Sequence, residues 1–379
     1  MGHPIPITPT ESPTLACHPG VFLMDDGYEI ILLCNRKALA SVVIGGQTFT
    51  DNNNGVMRTD TEVHKIRVPL SLLDSARLYR VHLAPLEDHC NYYPKPEPTE
   101  AYEYAFTPVP AEGPVEAYVL ADTHGDAVIS AETALLRPRL DLLILLGDIG
   151  DSAATREQIT TLHRLTAAIT GGRFPAVYVR GNHDTRGYMA EHLTDYIPTS
   201  GGATYYTFRA GPVWGVVLDC GEDKPDVSIE YGGVADYIGF RKAQTAFLRA
   251  MIQDAERTYA APDVRYRVAL CHIDFTHSAR AFRDDNPDIY EDWIAALNEM
   301  GISLLICGHE HVVGEYGSER FTGTPKPAFP TLLTATHSNR PIPLKGRHVP
   351  GEYTGTAITF TDGSIIRRFT NHNGEVLDL

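Results

Sequence analysis

The sequence predicts an α/β protein that begins with an all-β domain. Up to about residue 108 the apolar runs are short and rich in β-forming residues, and turn signals separate them. After residue 115, apolar strand-like runs alternate with stretches whose apolar residues recur at helical spacing. The chain has 379 residues, more than one domain usually contains, so we expect two domains.

The first domain is predicted from five apolar runs, which read EIILLCN, ALASVVIG, EVHKIRVPL, ARLYRVHLA and AYEYAFTPV. Turn-forming sequences such as Asp25-Asp26-Gly27 and the proline-rich NYYPKPEPTE separate them. This pattern is typical of a β-sandwich of the immunoglobulin or fibronectin kind. The stretch VPAEGPVEA marks the predicted boundary, which gives a β-sandwich domain over residues 1–112 and a second domain over residues 113–379.

The second domain is predicted as a layered α/β fold. Its strand candidates are almost continuously apolar, as expected of strands covered on both faces: EAYVLA, DLLILL, AVYVR, VWGVVL, RVALC and SLLIC. The helix candidates between them are AVISAETALLRPRL, TREQITTLHRLTAAIT, RKAQTAFLRAMIQDAERTY and YEDWIAALNEMG. The closing segment TAITFTDGSIIRRFTNHNGEV contains strand runs joined by DG and NG turns, which predict hairpins.

Composition favours a small substrate over a polymer. The chain has 48 acidic and 32 basic residues and a formal charge of −16, which gives no support for binding the nucleic acid backbone. The six cysteines form no CxxC pair and are predicted to be buried reduced thiols. No segment resembles a signal peptide or reaches the ~18 to 20 apolar residues of a membrane span, so we expect a cytoplasmic protein. The sequence gives no indication of the oligomeric state.

Five polar motifs follow the strand candidates in order: Asp122-Thr-His124, Gly147-Asp148-Ile-Gly-Asp151, Gly181-Asn182-His183-Asp184, His272 and Gly308-His309-Glu-His311. In open α/β sheets ligands bind beyond the carboxyl ends of the strands, so these motifs are expected to meet at one rim. Their carboxylate, imidazole and amide groups suffice for two adjacent divalent cations. The predicted metal ligands are Asp122, His124, Asp148, Asn182, His272, His309 and His311. Asp148 is the predicted bridge, and Asp151 is either a second-layer residue or a turn residue.

Two further residues of the third motif have predicted catalytic roles. We expect His183 to act as the general acid toward the departing alkoxide, with Asp184 orienting its ring. Arg186 is a candidate for phosphate binding, although a surface salt bridge is an alternative. The loops over residues 184–206, 221–240 and 273–290 are expected to set substrate choice, and they contain Arg280 and Arg283. His337 also follows an apolar run and is a further candidate near the rim.

With these motifs the chain resembles the calcineurin-like metallophosphoesterase superfamily over roughly residues 115–370. The resemblance implies a four-layer α/β/β/α sandwich. It also implies that Asp122, His124, Asp148 and His311 hold one metal, that Asp148, Asn182, His272 and His309 hold the second, and that His183 is the catalytic histidine. The domain order is similar to that of purple acid phosphatases. However, those enzymes have a tyrosine ligand where this chain has Asp151, so we expect a site without the purple colour.

The predicted function is therefore dinuclear metal-dependent phosphoester hydrolysis. A metal-bridging hydroxide would attack a small phosphomonoester in line, with His183 as general acid. The cofactors would be two divalent or trivalent ions, namely manganese, iron or zinc. Hydrolysis of cyclic nucleotides or other small diesters is the alternative, and a non-catalytic metal-binding scaffold is a third reading. Protein serine/threonine phosphatases have arginine after GDxxD, where this chain has Ser152, which argues against phosphoprotein substrates.

Overall fold

The structure is a computed structural model that describes residues 12–90, 92–277, 287–321, 323–335, 343–344, 347–348 and 353–377. In chain order the strands are β1 Gly20–Met24, β2 Gly27–Leu33, β3 Ala38–Ile44, β4 Gln47–Thr50, β5 Asn52–Asn53, β6 Val56–Met57, β7 Val63–Pro69, β8 Leu78–Cys90, β9 Pro94–Pro96, β10 Glu100–Ala105, β11 Val115–Leu120, β12 Leu142–Leu146, β13 Ala176–Val179, β14 Tyr206–Ala210, β15 Val213–Leu218, β16 Tyr266–Cys271, β17 Leu304–Cys307, β18 Val313–Tyr316, β19 Thr331–Thr334, β20 Pro343–Leu344, β21 Arg347–His348, β22 Thr354–Phe360, β23 Ile365–Asn371 and β24 Val376–Leu377. The α-helices are α1 Leu70–Ala76, α2 Ala127–Leu135, α3 Arg156–Thr170, α4 Tyr237–Gln253 and α5 Pro287–Glu299.

Two mixed sheets form the centre of the fold. The large sheet has the strand order β24-β23-β22-β11-β12-β13-β1-β2-β7, and the second sheet has the order β14-β15-β16-β17-β19-β18. Strands β11, β12 and β13 are parallel to each other, as are β15, β16, β17 and β19. Their carboxyl ends are where the polar motifs begin, as the sequence predicts.

The side chains of β15 show how the layers are stacked. Val213 and Val217 belong to the core shared with the large sheet, whereas Trp214 and Leu218 belong to a second core that includes Trp293 of α5. Alternate residues of one strand face opposite sides of a sheet, so the second sheet has the large sheet on one face and helices on the other. Helices α2 and α3 pack against β22 and β1 of the large sheet, respectively. The predicted α/β/β/α layering is confirmed.

The N-terminal strands form the predicted β-rich region, but they are shared between two sheets. Strands β3, β4, β8 and β10 form a separate sheet with β9 paired to β8, whereas β1, β2 and β7 extend the large sheet. Strand β1 pairs in parallel with β13, with Phe22 opposite Ala176. Every residue of β1 and β2 is buried, so both strands need cover on two faces. The large sheet therefore crosses residue 112, and the division of the chain at that point stays a prediction.

Helix α3 has clear start and stop signals. Thr155 precedes it in an extended conformation, its hydroxyl accepts a hydrogen bond from the Gln158 amide, and the Gln158 side chain accepts one from the Thr155 amide. This reciprocal pair is a capping box. The helix ends at Gly171, whose φ of 56° is the left-handed conformation that glycine adopts readily. Within the described residues, no helix combines the length and apolarity that crossing a membrane requires.

Candidate metal centre

The backbone of the predicted metal ligands is unusual. Among the described residues, eight non-glycine residues have a positive φ, and five of these are predicted ligands: Asp122, His124, Asp148, His309 and His311. Residues other than glycine rarely adopt a positive φ, because the Cβ atom crowds the backbone there. In proteins, such backbone strain is concentrated at functional sites. The folded chain therefore places these side chains at an energetic cost that the surrounding strands must offset.

Two motif glycines let the backbone approach the ligands closely. Gly147 has a φ of 83°, and a Cβ on it would lie 2.5 Å from Nδ1 of His272 and 2.6 Å from Cα of Gly181. A Cβ on Gly181 would lie 2.1 Å from Oδ1 of Asp148. Only glycine fits at either position without moving a predicted ligand.

The first group of predicted ligands consists of Asp122, His124 and His311. Nε2 of His124 lies 3.2 Å from Nε2 of His311, and Nε2 of His311 lies 3.5 Å from Oδ1 of Asp122. One ligand atom from each residue lies within 4.8 Å of the others, which suits a single metal ion. The backbone amide of His309 donates to both carboxylate oxygens of Asp122, at 3.0 and 2.9 Å, which fixes that carboxylate.

The second group consists of Asp148, Asn182, His272 and His309. Nε2 of His272 lies 3.2 Å from Oδ2 of Asp148 and 3.2 Å from Oδ1 of Asn182. Nδ1 of His309 lies 2.8 Å from the same Asn182 oxygen. The structure thus brings together all seven residues that the sequence selects as ligands. Oδ1 of Asp122 also lies 3.8 Å from Nε2 of His272, so the two groups adjoin, and the division of ligands between two metals stays a prediction.

Asp148 lies between the two groups. Its Oδ2 is 3.2 Å from Nε2 of His272 in the second group and 4.0 Å from Nε2 of His124 in the first. Its other oxygen, Oδ1, accepts a hydrogen bond of 2.8 Å from the backbone amide of His183. This arrangement suits a carboxylate that contacts two cations.

The outer ring atoms of the histidines have partners that define their tautomers. Nδ1 of His272 lies 2.6 Å from the carbonyl of Leu146, so it donates and leaves the lone pair of Nε2 facing the site. Nε2 of His309 lies 3.6 Å from Oδ2 of Asp223, which orients its Nδ1 toward the site. Carbonyl and carboxylate partners of this kind usually accompany metal-bound histidines.

The orientation of the Asn182 amide indicates whether a cation fits among the second group of predicted ligands. Its Oδ1 faces the lone-pair atoms of His272 and His309 and lies beside Oδ2 of Asp148, and rotating the amide by 180° would instead direct its NH2 group at all three. Four electron-rich atoms that converge on one point repel each other unless positive charge lies among them, as a metal ion or as a proton on a ring nitrogen. The donor set of carboxylate, amide and imidazole groups is also one that divalent transition metals accept. The residues present therefore fit a metal ion in the second group.

The charges of the centre also favour cations. Burial raises the pKa of Asp122 to about 7, and the Asp148 carboxylate adds to this rise while His272 opposes it. Burial would raise the pKa of Asp148 as well, but the charge and hydrogen bond of His272 outweigh it and lower this pKa. Burial lowers the pKa of His272, but Asp148 and Asp122 outweigh this effect and raise it to about 10. The buried carboxylates thus stabilise positive charge, which protons or metal ions can supply.

His183 lies beside the first group, with its ring 4.6 Å from that of His124. Its Nδ1 lies 2.8 Å from the backbone carbonyl of Asp151 and its Nε2 lies 2.9 Å from Nη1 of Arg186. Asp151 also has a carboxylate oxygen 3.5 Å from Nδ1 of His124. Asp151 therefore contacts both histidines, through its backbone and its side chain.

Asp184 has a different set of contacts from the one predicted. Its Oδ2 accepts hydrogen bonds from the backbone amides of Asp148 and Gly181 and from the hydroxyl of Tyr178, at 3.2, 2.8 and 2.8 Å. The predicted role of orienting the His183 ring is corrected, because the carbonyl of Asp151 holds that position. His183 and Asp184 are consecutive in a 3-10 helix, where adjacent side chains point about a third of a turn apart. Asp184 instead holds the backbone amides of Asp148 and Gly181 in place.

Arg186 forms an ion pair with a buried carboxylate. Its Nε and Nη2 donate to the two oxygens of Glu222, at 2.5 and 2.9 Å, and Glu222 is 1% exposed. This bidentate pair holds the guanidinium next to His183, so it is more than the surface salt bridge that the sequence left as an alternative.

Sequence reasoning missed both Glu222 and Asp223. They follow the apolar run of β15 as the other motifs follow their strands, and that signal could have identified them.

The other residues of the predicted substrate loops lie in different environments in the structure. Tyr206 belongs to β14 and is 1% exposed, and its hydroxyl donates to the backbone carbonyl of Tyr178, so it is a core residue. Tyr188 is 95% exposed, close to Arg186 in the chain. The candidates Arg280, Arg283 and His337 lie outside the described residues.

Comparisons with known proteins identify a family and a fold. The sequence profile of the calcineurin-like phosphoesterase family matches residues 116–313. No curated protein matches the chain. A purple acid phosphatase from yellow lupin (Lupinus luteus) seeds has a similar structure, with a TM-score of 0.60 and 11% identity over 95% of this chain and 73% of that chain. The structure of PhoD is also similar, with a TM-score of 0.52 and 13% identity over 98% of this chain and 93% of that chain. At these identities the similarity to solved structures shows the fold.

Proposed function

Because this chain belongs to the calcineurin-like phosphoesterase family, we propose that it hydrolyses small phosphomonoesters with two metal ions. Family membership makes it a phosphoric ester hydrolase that depends on metal ions. In our proposal the first ion is held by Asp122, His124, Asp148 and His311, and the second by Asp148, Asn182, His272 and His309.

The position of Asp148 is the observation that carries this proposal. Its Oδ2 lies 3.2 Å from Nε2 of His272 and 4.0 Å from Nε2 of His124. Oδ1 of Asp122 likewise lies 3.8 Å from His272 and 3.5 Å from His311, so both carboxylates face histidines of both groups. The seven side chains are more than a single transition metal ion coordinates, so we assign them to two ions with Asp148 as the bridge. The distances therefore support a dinuclear centre.

The chemistry divides between the ions and the chain. Two bound ions would activate water near neutral pH and neutralise charge on the phosphoryl oxygens. In our proposal the chain supplies the proton for the leaving alcohol. Nδ1 of His183 donates to the carbonyl of Asp151, so this proton must come from Nε2. In the structure Nε2 accepts from Nη1 of Arg186, so the acid role requires that Arg186 donate to a phosphoryl oxygen instead. Arg186, fixed by Glu222, places a positive charge beside that nitrogen, where a phosphoryl oxygen can be bound.

The test combines metal content with kinetics. Wild-type protein loaded with Mn²⁺ should contain two ions per chain and hydrolyse p-nitrophenyl phosphate faster than its bis-ester. Asp148→Asn should lower the metal content and reduce kcat by at least about a hundredfold, since the bridging charge is lost. Faster hydrolysis of the bis-ester would indicate a diesterase instead. A metal-loaded protein that hydrolyses neither ester would contradict the proposal.

The identity of the ions is a further part of the proposal. The mixture of oxygen and nitrogen ligands accepts manganese, iron or zinc. Because Asp151 stands where purple phosphatases have a tyrosine ligand, the iron-loaded protein should lack their visible charge-transfer absorption. Elemental analysis and an absorption spectrum of protein purified without added metal test both points. The cytoplasmic location stays a prediction.

A further inference from the structure

A cavity of about 610 Å³ lies beside Arg186 and Glu222, whose side chains contact His183 and Asn182 of the candidate metal centre. Its walls come from the segment after the catalytic motif and from the loop after β15, and they include Arg186, Tyr188, Glu222, Tyr231, Val234 and Tyr237. This volume is in the range of sites for drug-sized ligands and exceeds what a phosphate group alone needs.

The cavity lies on the His183 side of the centre. Arg186, one of its walls, has its Nη1 2.9 Å from Nε2 of His183, the atom to which we assign the proton for the leaving group. In the proposed reaction, the leaving oxygen of a phosphoryl group held by the metal ligands would face that nitrogen. The remainder of the leaving alcohol would then extend past His183. The cavity next to Arg186 is the space that would receive it.

The cavity offers aromatic and apolar surface. Tyr188 and Val234 are 95% and 89% exposed, so both side chains are open to contact with a ligand. The rings of Tyr231 and Tyr237 meet edge to face, with centroids 6.3 Å apart, and the Tyr231 hydroxyl is held by the Lys224 amide at 2.9 Å. Aromatic walls of this kind favour a planar ring in the ligand.

The charges of the cavity are already paired. Arg186 has its Nε and Nη2 held by Glu222 and its Nη1 assigned to the phosphoryl group of the substrate, and Arg180 is paired with Asp219 at 2.7 Å. Glu230 is paired with Lys224 at 3.1 Å, while Glu191, which is 80% exposed, adds negative charge at the cavity wall. A second anionic group on the ligand would therefore find no uncommitted cation among these residues and would face Glu191.

Building on the proposed function, we propose that this cavity binds the leaving group and selects phosphomonoesters of uncharged aromatic alcohols. The alcohol ring would lie among Tyr188, Val234 and Tyr237, with its phosphate at the metal centre. Phosphomonoesters of short alkyl alcohols would leave the cavity empty, and those of anionic alcohols would be disfavoured.

The experiment compares benzyl phosphate with ethyl phosphate, whose alcohols have similar acidity, so that leaving-group chemistry does not bias the result. The wild-type kcat/KM should be at least about tenfold higher for benzyl phosphate. A para-carboxylate on the benzyl ring should remove most of that advantage. Tyr188→Ala should lower the benzyl to ethyl ratio several-fold, whereas Tyr92→Ala, which removes a tyrosine that is 92% exposed in the N-terminal region, should keep the wild-type ratio.

A second measurement needs no turnover and separates this proposal from the proposed function. Calorimetric titration of the metal-loaded protein should show tighter binding of benzylphosphonate than of ethylphosphonate, with a preference that falls in Tyr188→Ala. Equal binding of the two phosphonates would overturn the leaving-group cavity even if both esters are hydrolysed. A clear benzyl preference in binding without hydrolysis of any ester would support the cavity and contradict the enzymatic proposal.

Discussion

Gly181 lies directly against a proposed metal ligand. A methyl group added at Gly181 would lie 2.1 Å from Oδ1 of Asp148. We expect Gly181→Ala to displace that carboxylate and to lose most of the bound metal. Metal content after dialysis measures this effect. Gly363→Ala is the matched control, because a Cβ there meets no atom within 4 Å. Full metal content in Gly181→Ala would show that Asp148 is not a ligand.

His183 is the residue whose loss should separate chemistry from metal binding. Its contacts with the Asp151 carbonyl and Arg186 leave it outside both proposed ligand sets. We expect His183→Ala to lower kcat by about 10²–10⁴-fold, as is usual when a general acid is removed, while two metals stay bound. His192→Ala, which changes a histidine with 59% of its side chain exposed, should keep wild-type kcat. An unchanged kcat in His183→Ala would refute the acid role.

At the scale of the element, helix α3 carries a buried histidine that links stability to pH. Burial lowers the pKa of His163 to about 4 from the ordinary value of 6.5. The unfolded chain binds this proton more readily, so the contribution of His163 to stability is complete above about pH 6.5 and is lost as the pH falls toward 4. Between pH 7 and pH 5 this group alone should reduce the free energy of unfolding by about 2 kcal/mol.

The variant His163→Leu tests that linkage. Leucine is neutral at every pH and suits a position with 1% exposure, so the loss of stability between pH 7 and pH 5 should be about 2 kcal/mol smaller than in the wild type. Urea unfolding at the two pH values gives both quantities. The exposed His192→Leu should follow the wild-type profile. An equal pH response in His163→Leu and wild type would show that His163 takes up no proton on unfolding in this range.

Elements with strong local signals were predicted well. The sequence placed a helix over TREQITTLHRLTAAIT, and α3 covers Arg156–Thr170, because the capping box and Gly171 mark both ends. Helix α4 was predicted less accurately. It starts at Tyr237 and ends at Gln253, whereas the predicted stretch starts four residues later and continues past Asp254. Asp236 before it is a residue type favoured at the N-cap, but it makes no cap hydrogen bond; the Ile238 amide donates instead to Asp226 at 3.0 Å, a contact that the local pattern does not indicate.

At the scale of the whole molecule, the large sheet joins the N-terminal strands to the strands that carry the motifs. Strand β1 lies next to β13, and further contacts include Arg156 with the Cys34 carbonyl at 3.1 Å and Tyr79 with the Gly172 carbonyl at 2.8 Å. A chain of residues 113–379 alone would expose the edge of β13 and the apolar surface that β1 covers. We expect this fragment to aggregate when the full chain is soluble.

Size-exclusion chromatography and circular dichroism of the fragment and the full chain check this expectation. A monodisperse fragment with a cooperative thermal transition would show instead that the two predicted domains fold separately.

The proposed metal centre would draw its ligands from both sheets, so metal binding should stabilise the whole fold. His272 and His309 follow strands of the second sheet, and Asp122 and Asp148 follow strands of the large sheet. A ligand at a hundred times its Kd adds about 2.7 kcal/mol to the free energy of unfolding. Chelation should therefore lower Tm by several degrees in the wild type but barely change it in Gly181→Ala. An unchanged wild-type Tm after verified metal removal would contradict this coupling.

The sequence alone determined the α/β class, the layered order of strands and helices and the family, because these depend on local patterns and on side-chain chemistry. It also selected the seven proposed ligands, whose side chains lie close together in the structure. A ligand is recognised from its own functional group and from the strand that precedes it, so no long-range contact is needed to select it.

Only the tertiary structure decided which partners those residues have. Glu222 and Asp223 contact Arg186 and His309, respectively, across long sequence separations, and β1 pairs with a strand about 150 residues away. Strand pairing and second-layer contacts depend on how the sheets pack against each other. Local sequence patterns contain no information on that packing. They identify the functional groups of the centre but not the contacts that orient those groups.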